Sequence, residues 1–264
     1  MIKKCNNLSV PGLDKLIWSH VKFIIRNKDC ICKFIDITNA CINLEHWPSH
    51  FKTSTTVVIP KPNKTIFNSS KSYHPIILLN IIRKLFKKMI GEHLQFHIIS
   101  NNFIYPSQLG GLKQRSTTDA EVALTHIIWS GWVKNLTTSI LVFDIAQFFL
   151  SLNHQLLSFI LDKTELNYKI LMFFKNYLIG RKTKYFWNNF ISPSFNVNIG
   201  IRQRSVLSPI FSTLYLSPVF FSLENHLKIL KMLFSSFLLW TMDFLFLKTN
   251  LFHILIQIFF VATI

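Results

Sequence analysis

This chain has few acidic side chains. Its Asp and Glu number 12 against 29 Lys and Arg, a formal net charge of +17 across 264 residues. No two aspartates are adjacent, so the simplest carboxylate pair for a divalent cation is missing. Cysteine is also sparse. Cys5, Cys30, Cys32 and Cys41 make no C-x-x-C pair and no spacing with histidine that suits zinc. Unpaired thiols are the default of a reducing compartment, so an intracellular protein, cytoplasmic or nuclear, is expected. The first residues, Met1-Ile2-Lys3-Lys4-Cys5-Asn6-Asn7, lack the apolar run of a secretory signal. The chain has no internal repeat and no long linker.

What is present is an apolar, basic chain. Half of its residues are hydrophobic, enough for a sizeable core in one large domain or two small ones. The positive charge suits a polyanionic partner, although the same residues also solvate a greasy chain. Lys61, Lys64, Lys71, Arg83, Lys84, Lys87 and Lys88 concentrate it in one stretch. Lys113 with Arg115, and Arg181 with Lys182 and Lys184, add smaller clusters. Phosphate contacts from such residues position a strand without reading its sequence. Phe, at 26 residues, is abundant alongside Ile, Lys and Asn. All four have A/T-rich codons, so composition reflects the gene's base bias as well as protein physics.

Periodicity predicts interleaved helices and strands. Helices are expected within 13–46, over 81–99, from Thr118 to Trp129 with Thr117 or Thr118 as cap, near 153–162, over 168–178 and over 208–216. The 81–99 helix reads as amphipathic, with Lys84, Lys87 and Lys88 on its polar side. Strands are expected at Thr55–Ile59, stopped by Pro60 and Pro62, and at Ser139–Phe143. A hairpin is expected across Lys184–Trp187 and Phe195–Ile199. The class is α/β.

The Ser139–Phe143 strand delivers a carboxylate to its end, in Phe143-Asp144-Ile145-Ala146-Gln147-Phe148-Phe149. A hard cation such as Mg²⁺ favours carboxylate oxygens held on a rigid element. This string resembles the first catalytic motif of reverse transcriptases of non-LTR (LINE-like) retrotransposons. Further blocks follow the order of that family. Ile59-Pro60-Lys61-Pro62-Asn63-Lys64 resembles the start of the fingers. Ser72-Tyr73-His74-Pro75-Ile76-Ile77-Leu78-Leu79-Asn80 resembles S-Y-R-P-I-x-L-L-N. Gln108-Leu109-Gly110-Gly111 with Arg115-Ser116-Thr117-Thr118 resembles the next block. Gly200-Ile201-Arg202-Gln203-Arg204-Ser205 with Leu207-Ser208-Pro209-Ile210 resembles the template-gripping G-x-x-Q-G-S-x-L-S-P. Pro11-Gly12 and Trp47-Pro48 also fall where the family has such residues.

The resemblance implies the fingers and palm of a right-hand polymerase, incomplete and without a thumb. It divides the chain into a helical extension over 1–50, a fingers-like region over 51–135, a palm-like region over 136–230 and an apolar tail over 231–264. It implies an RNA template, a DNA primer, deoxynucleoside triphosphates and Mg²⁺. Asp144 is the expected metal-binding acid, Phe149 the ring that crowds the sugar 2′-position, and Gln203 and Ser205 the template and nucleotide residues. Lys61, Lys64 and His74 belong to the nucleotide-binding fingers.

Three positions depart from the family pattern. His74 replaces an arginine that would hold phosphate oxygens bidentately. Arg204 replaces a glycine that permits close backbone approach. The expected F-x-D-D turn is absent, and its nearest counterpart is Trp240-Thr241-Met242-Asp243-Phe244, where Asp243 is the candidate second catalytic acid. Met242 offers a thioether, a poor ligand for a hard cation. The codons for Trp240–Asp243, read one base earlier, allow Val-Asp-Asp-Gly. The tail after about residue 231 is therefore expected to be out of frame, with Phe234, Phe237, Phe244 and Phe246 promoting aggregation. The reading is a decayed, catalytically inactive reverse transcriptase domain. A non-enzymatic basic nucleic-acid-binding protein is the alternative. A membrane-associated protein is a weaker one, because the apolar runs are shorter than a spanning helix needs and Asp243 interrupts one.

Overall fold

The computed structural model describes residues 5–7, 11–12, 14–62, 68–69, 72–135, 137–145, 147–202, 205–233, 239–248 and 252–261. For 137–144, 226–233, 239–248 and 252–261 it describes the backbone path alone. The chain divides into two compact units. One comprises Met1–His93 with Phe149–Ser208, the other Leu94–Phe148 with Pro209–Ile264.

In the first unit, helices α1 (Trp18–Ile24), α2 (Lys28–Asn43) and α3 (Ser49–Lys52) precede strands β1 (Thr53–Pro60) and β2 (Tyr73–Leu78) and the start of helix α4 (Ile81–Ser100). The β-branched run Thr53-Ser54-Thr55-Thr56-Val57-Val58-Ile59 favours an extended chain. β1 pairs antiparallel with β2, Val58 opposite Pro75. A proline is tolerated there because β2 is an edge strand. Trp18, Val21, Ile81 and Leu85 form a core with Leu16, Ile25, Phe34 and Met89 against them. Asn27 caps α2 by accepting from the Asp29 N–H.

The second unit adds helix α5 (Thr117–Val133) and strand β3 (Thr137–Asp144). The cap of α5 is Ser116, in a reciprocal capping box with Asp119, and not Thr117 or Thr118 as expected. The reason is that Asp119 stands three residues after Ser116, so its carboxylate reaches back to the Ser116 N–H at 2.6 Å.

The chain then returns to the first unit. Helices α6 (Phe148–Ser151), α7 (His154–Asp162) and α8 (Tyr168–Leu178) lead into strands β4 (Lys182–Trp187), β5 (Phe190–Ile191) and β6 (Phe195–Asn196). Asn153 and Asn167 cap α7 and α8. β4 lies parallel to β1, Thr56 opposite Tyr185, and completes a five-stranded sheet. The expected hairpin partner is corrected. Asn188 and Asn189 both adopt positive φ and close a two-residue turn, so Trp187 pairs with Phe190. Phe195 and Asn196 pair instead with Thr183 and Lys182.

Helix α9 (Leu207–Leu233) runs well past the expected end, with Pro218 inside it. In the second unit a buried polar lattice ties it to the Gln108-Leu109-Gly110-Gly111 block. Gln108 donates to the Thr213 carbonyl at 3.0 Å, Ser217 Oγ donates to Gln108 Oε1 at 2.7 Å, and Thr213 Oγ1 donates to the Gly110 carbonyl at 3.1 Å. Strands β7 (Leu239–Lys248) and β8 (Phe252–Val261) follow, and β3, β8 and β7 form an antiparallel sheet in that order. Among the described residues no helix is long and apolar enough to cross a membrane.

Candidate functional site

Asp144 ends β3, as the apolar run before it predicts, and its register partner on β8 is Ile254. Ile254 in turn faces Phe246 on β7, while Asp243 faces Gln257, three residues away. β8 therefore lies between the strands that carry the two acids. Their Cα atoms are at least two strand spacings apart, about 9.5 Å. A two-metal site holds its ions about 3.5–4 Å apart and needs carboxylates that converge on them. The donor set, one acid on each of two non-adjacent strands with Met242 beside the second, does not fit such a pair of hard cations. Among the described residues no three His, Cys, Asp or Glu side chains gather as a metal site.

The blocks around Phe149 and Gly200 do meet. The Phe149 carbonyl accepts from the Ile201 N–H at 2.6 Å, and the Leu152 carbonyl accepts from the Gly200 N–H at 2.7 Å. Gly200 has φ +75°, and a Cβ there would lie 2.9 Å from Leu150 Cα and closer still to its carbonyl. Backbone on both sides cannot give way. Gly200→Ala is expected to cost about 2 kcal/mol or more, read as a lowered urea midpoint at unchanged slope.

Lys61 follows β1, its N–H donating to the Ser72 carbonyl at 2.9 Å, and His74 is half-buried opposite Ile59 on β2. Ser205 is buried. Lys64, Lys71, Gln203, Arg204, Phe234 and Phe237 lie outside the described residues.

The least expected feature surrounds Ser205. Arg83 and Lys87 on α4, Arg181 just before β4 and Arg202 in the segment between β6 and α9 are all buried. Reading Arg83, Lys87 and Arg181 as surface contacts for phosphate is therefore wrong, as is placing Lys87 on the polar side of α4. Their partners are mostly backbone carbonyls. Arg83 donates to the carbonyls of Phe51 and, at 2.8 Å, Thr53. Arg202 donates to the Lys52 carbonyl, and Arg181 to that of Gly200 at 2.6 Å. Lys87 Nζ lies 3.3 Å from Ser205 Oγ and 4.9 Å from the Tyr177 ring centre. Arg83 Nε and Arg181 Nε and Nη1 are buried without a hydrogen-bond partner.

Burial is the main force on these groups. It brings Lys87 down to about 7, with Tyr177 opposing the fall and Arg83 and Arg202 adding to it. It lowers Arg83 to about 10 and Arg202 to about 9, so both stay charged near neutrality. Burial pushes Tyr177 up, but Lys87, Arg181 and Arg202 outweigh it and bring the phenol to about 7. Asp14 is the one carboxylate among the described residues whose field acts on the cluster, as the smallest of the influences on Arg83.

The family model described as "Reverse transcriptase (RNA-dependent DNA polymerase)" matches residues 59–244, a span that begins at Ile59 and includes Asp144, Ser205 and Asp243. The chain belongs to the reverse transcriptase family. Within it, the chain is similar to two curated proteins of Drosophila melanogaster. It is 26% identical over 215 residues to a probable RNA-directed DNA polymerase from transposon X-element. It is 28% identical over 209 residues to the corresponding protein from transposon BS. These alignments cover 81% and 78% of this chain but only 23% and 22% of the relatives. Both relatives are transposon proteins, and this chain spans less than a quarter of the length of each. Among solved structures, apo telomerase from Candida tropicalis, truncated from its C-terminal domain, superposes with a TM-score of 0.52 at 13% identity. That match covers 81% of this chain and 44% of that one, and supports a fingers-and-palm fold.

Proposed function

We propose that this chain is a decayed retrotransposon reverse transcriptase domain that retains nucleic-acid binding and has lost nucleotidyl transfer. The observation that carries this is the second acid site, where Met242-Asp243 stands in place of an acid pair on a strand separated from that of Asp144 by β8. In an intact relative the position of Asp144 would bind the first Mg²⁺ and that of Asp243 would belong to the second acid motif. Phe149 would screen the sugar of a deoxynucleoside triphosphate. Lys61, Lys64, His74, Gln203 and Ser205 would hold nucleotide and template. In this reading the tail from about 231 is an out-of-frame product, and the chain acts in the reducing interior of the cell, in cytoplasm or nucleus.

The test is an RNA template annealed to a DNA primer. The chain is expected to bind it with an affinity that falls steeply with salt. It is expected not to extend the primer with either Mg²⁺ or Mn²⁺, because loss of a metal ligand removes charge neutralisation worth several kcal/mol of barrier. Template-dependent extension that disappears in Asp144→Ala would overturn the inactive reading. Absence of any nucleic-acid binding at low salt would overturn the rest.

A further inference from the structure

The buried cations of the first unit form one connected group. Arg83 and Lys87 stand one turn apart on α4, where side chains at this spacing are neighbours. Arg202 links them to Arg181. Its guanidinium shares the Phe51 carbonyl with Arg83 and also reaches, at 3.3 Å, the carbonyl of Lys182, next in the chain to Arg181. Arg181 in turn holds the Gly200 carbonyl, just before Arg202 in the chain. The fields agree with the contacts, since Arg181 acts on Arg83 and both act on Arg202. None of the four residues is more than 3% exposed. Five buried side-chain donors lack a hydrogen-bond partner among the described residues, and four of them lie here. They are Arg83 Nε, Arg181 Nε and Nη1, and the indole N–H of Trp47, whose ring packs against Tyr177 and lies 6.0 Å from Lys87 Nζ.

A buried donor that has given up water destabilises the fold until it gains an acceptor, and a charged one does so more. No carboxylate among the described residues pairs with any of the four, and Asp14 acts on Arg83 alone, as the weakest of its influences. The other polar neighbours of Lys87, the hydroxyls of Tyr177 and Ser205, are donors as well as acceptors. The group therefore selects an acceptor that carries no proton of its own. That acceptor must also be small and singly charged. The whole cluster lies below the surface, so a ligand there leaves its hydration shell behind, and the cost rises with the square of its charge. A phosphate dianion does not meet these terms, nor does a nucleotide, whose bulk stays in water. A halide does. We propose that the cluster is a structural anion site that takes up chloride as the chain folds, with Arg83 and Arg181 as its principal donors. The inference needs neither nucleic-acid binding nor catalysis.

The experiment is urea unfolding of the full chain over a range of chloride concentrations at constant ionic strength. Gluconate, a monovalent anion too bulky for the interior, replaces the chloride. An anion bound only by the folded state raises the folding constant in proportion to its concentration above Kd. The slope of log folding constant against log chloride should therefore approach about one, a gain of about ten-fold for each ten-fold rise in chloride. Bromide should give the same slope. Lys87→Glu places a resident carboxylate in the cluster and should bring the slope to about zero. Lys169→Glu makes the same change of charge on the exposed surface and should leave the slope unaltered. Crystals grown with bromide in place of chloride should show its anomalous signal beside Arg83 and Arg181. A folding constant indifferent to chloride would overturn the site. So would a slope that Lys87→Glu and Lys169→Glu reduce equally, since that is general screening. A steeper response to phosphate than to chloride would overturn the choice of a halide.

Discussion

Lys87→Glu is expected to stabilise the protein, by about 3 kcal/mol or more. The position is fully buried, and among the described residues the charges that act on it are those of Arg83 and Arg202, with Tyr177 as the group of opposite sign. A buried charge without a compensating partner costs about 3–5 kcal/mol. A carboxylate at 87 would relieve that cost. It would also offer an acceptor to the neighbouring guanidinium of Arg83, whose Nε now has none. For a domain of this size the gain corresponds to roughly 6–12 °C in Tm. Lys87→Met should also stabilise, but less, because it removes the charge without serving the arginines. If Lys87→Glu lowers Tm while Lys87→Met leaves it unchanged, the cluster is not short of negative charge.

The same cluster sets a pH dependence. In the unfolded chain the lysine and tyrosine protons leave near pH 10. In the folded chain the Lys87–Tyr177 pair is shifted down, each group to about 7. Between about pH 7 and 10 the unfolded chain thus binds more protons, so stability rises with pH across that window. Below about 7 the full penalty applies. Urea unfolding at steps from pH 7 to 10 should show the rise, and Lys87→Met should flatten it. A flat profile in the unaltered chain would show that the pair keeps its ordinary protons.

Shifting the reading frame by one base between codons 229 and 235 is the second change with a large expected effect. The resulting chain should contain Val-Asp-Asp-Gly where this one has Trp240-Thr241-Met242-Asp243, and should be more soluble than this one. Consecutive acids supply the hard donors that Met242 cannot. Primer extension should still be absent until Arg204→Gly and His74→Arg are made as well. The family pattern has at 204 a glycine that permits close backbone approach, which arginine does not, and imidazole lacks the planar fork of a guanidinium. Sequencing the gene and comparing solubility checks the first step. A neighbouring frame without Asp-Asp, or a deletion of 232–264 that destabilises the protein, would establish the tail as native.

Much of the architecture was legible along the chain because it is decided locally. Asn27, Asn153 and Asn167 cap the helices that follow them, and the β-branched stretch before Pro60 forms β1. Asp144 ends its strand because an apolar β-prone run leads to it. The motif order pointed to the family for the same reason, since each block is a short contiguous string. The misreadings are equally local. Asn188-Asn189 is a turn signal with no glycine, so the hairpin was placed too late in the chain. Helix α9, expected over 208–216, runs on through Pro218 to Leu233.

What only the tertiary structure decided is where the charge goes. A lysine among lysines on α4 has the same helical spacing whether it faces water or Tyr177, so periodicity could not identify Lys87 as buried. That fate depends on Trp47, Tyr177, Arg202 and Ser205, some 40 to more than 100 residues away in the chain and converging on one side chain. The carbonyls of Phe51 and Lys182 likewise meet at Arg202 only because β1 and β4 lie side by side in register. Sequence by itself determined the elements and the lineage, which rest on contacts between near neighbours. Burial, counter-charge and exposed faces belong to contacts between distant residues, and those appear only when the chain is folded.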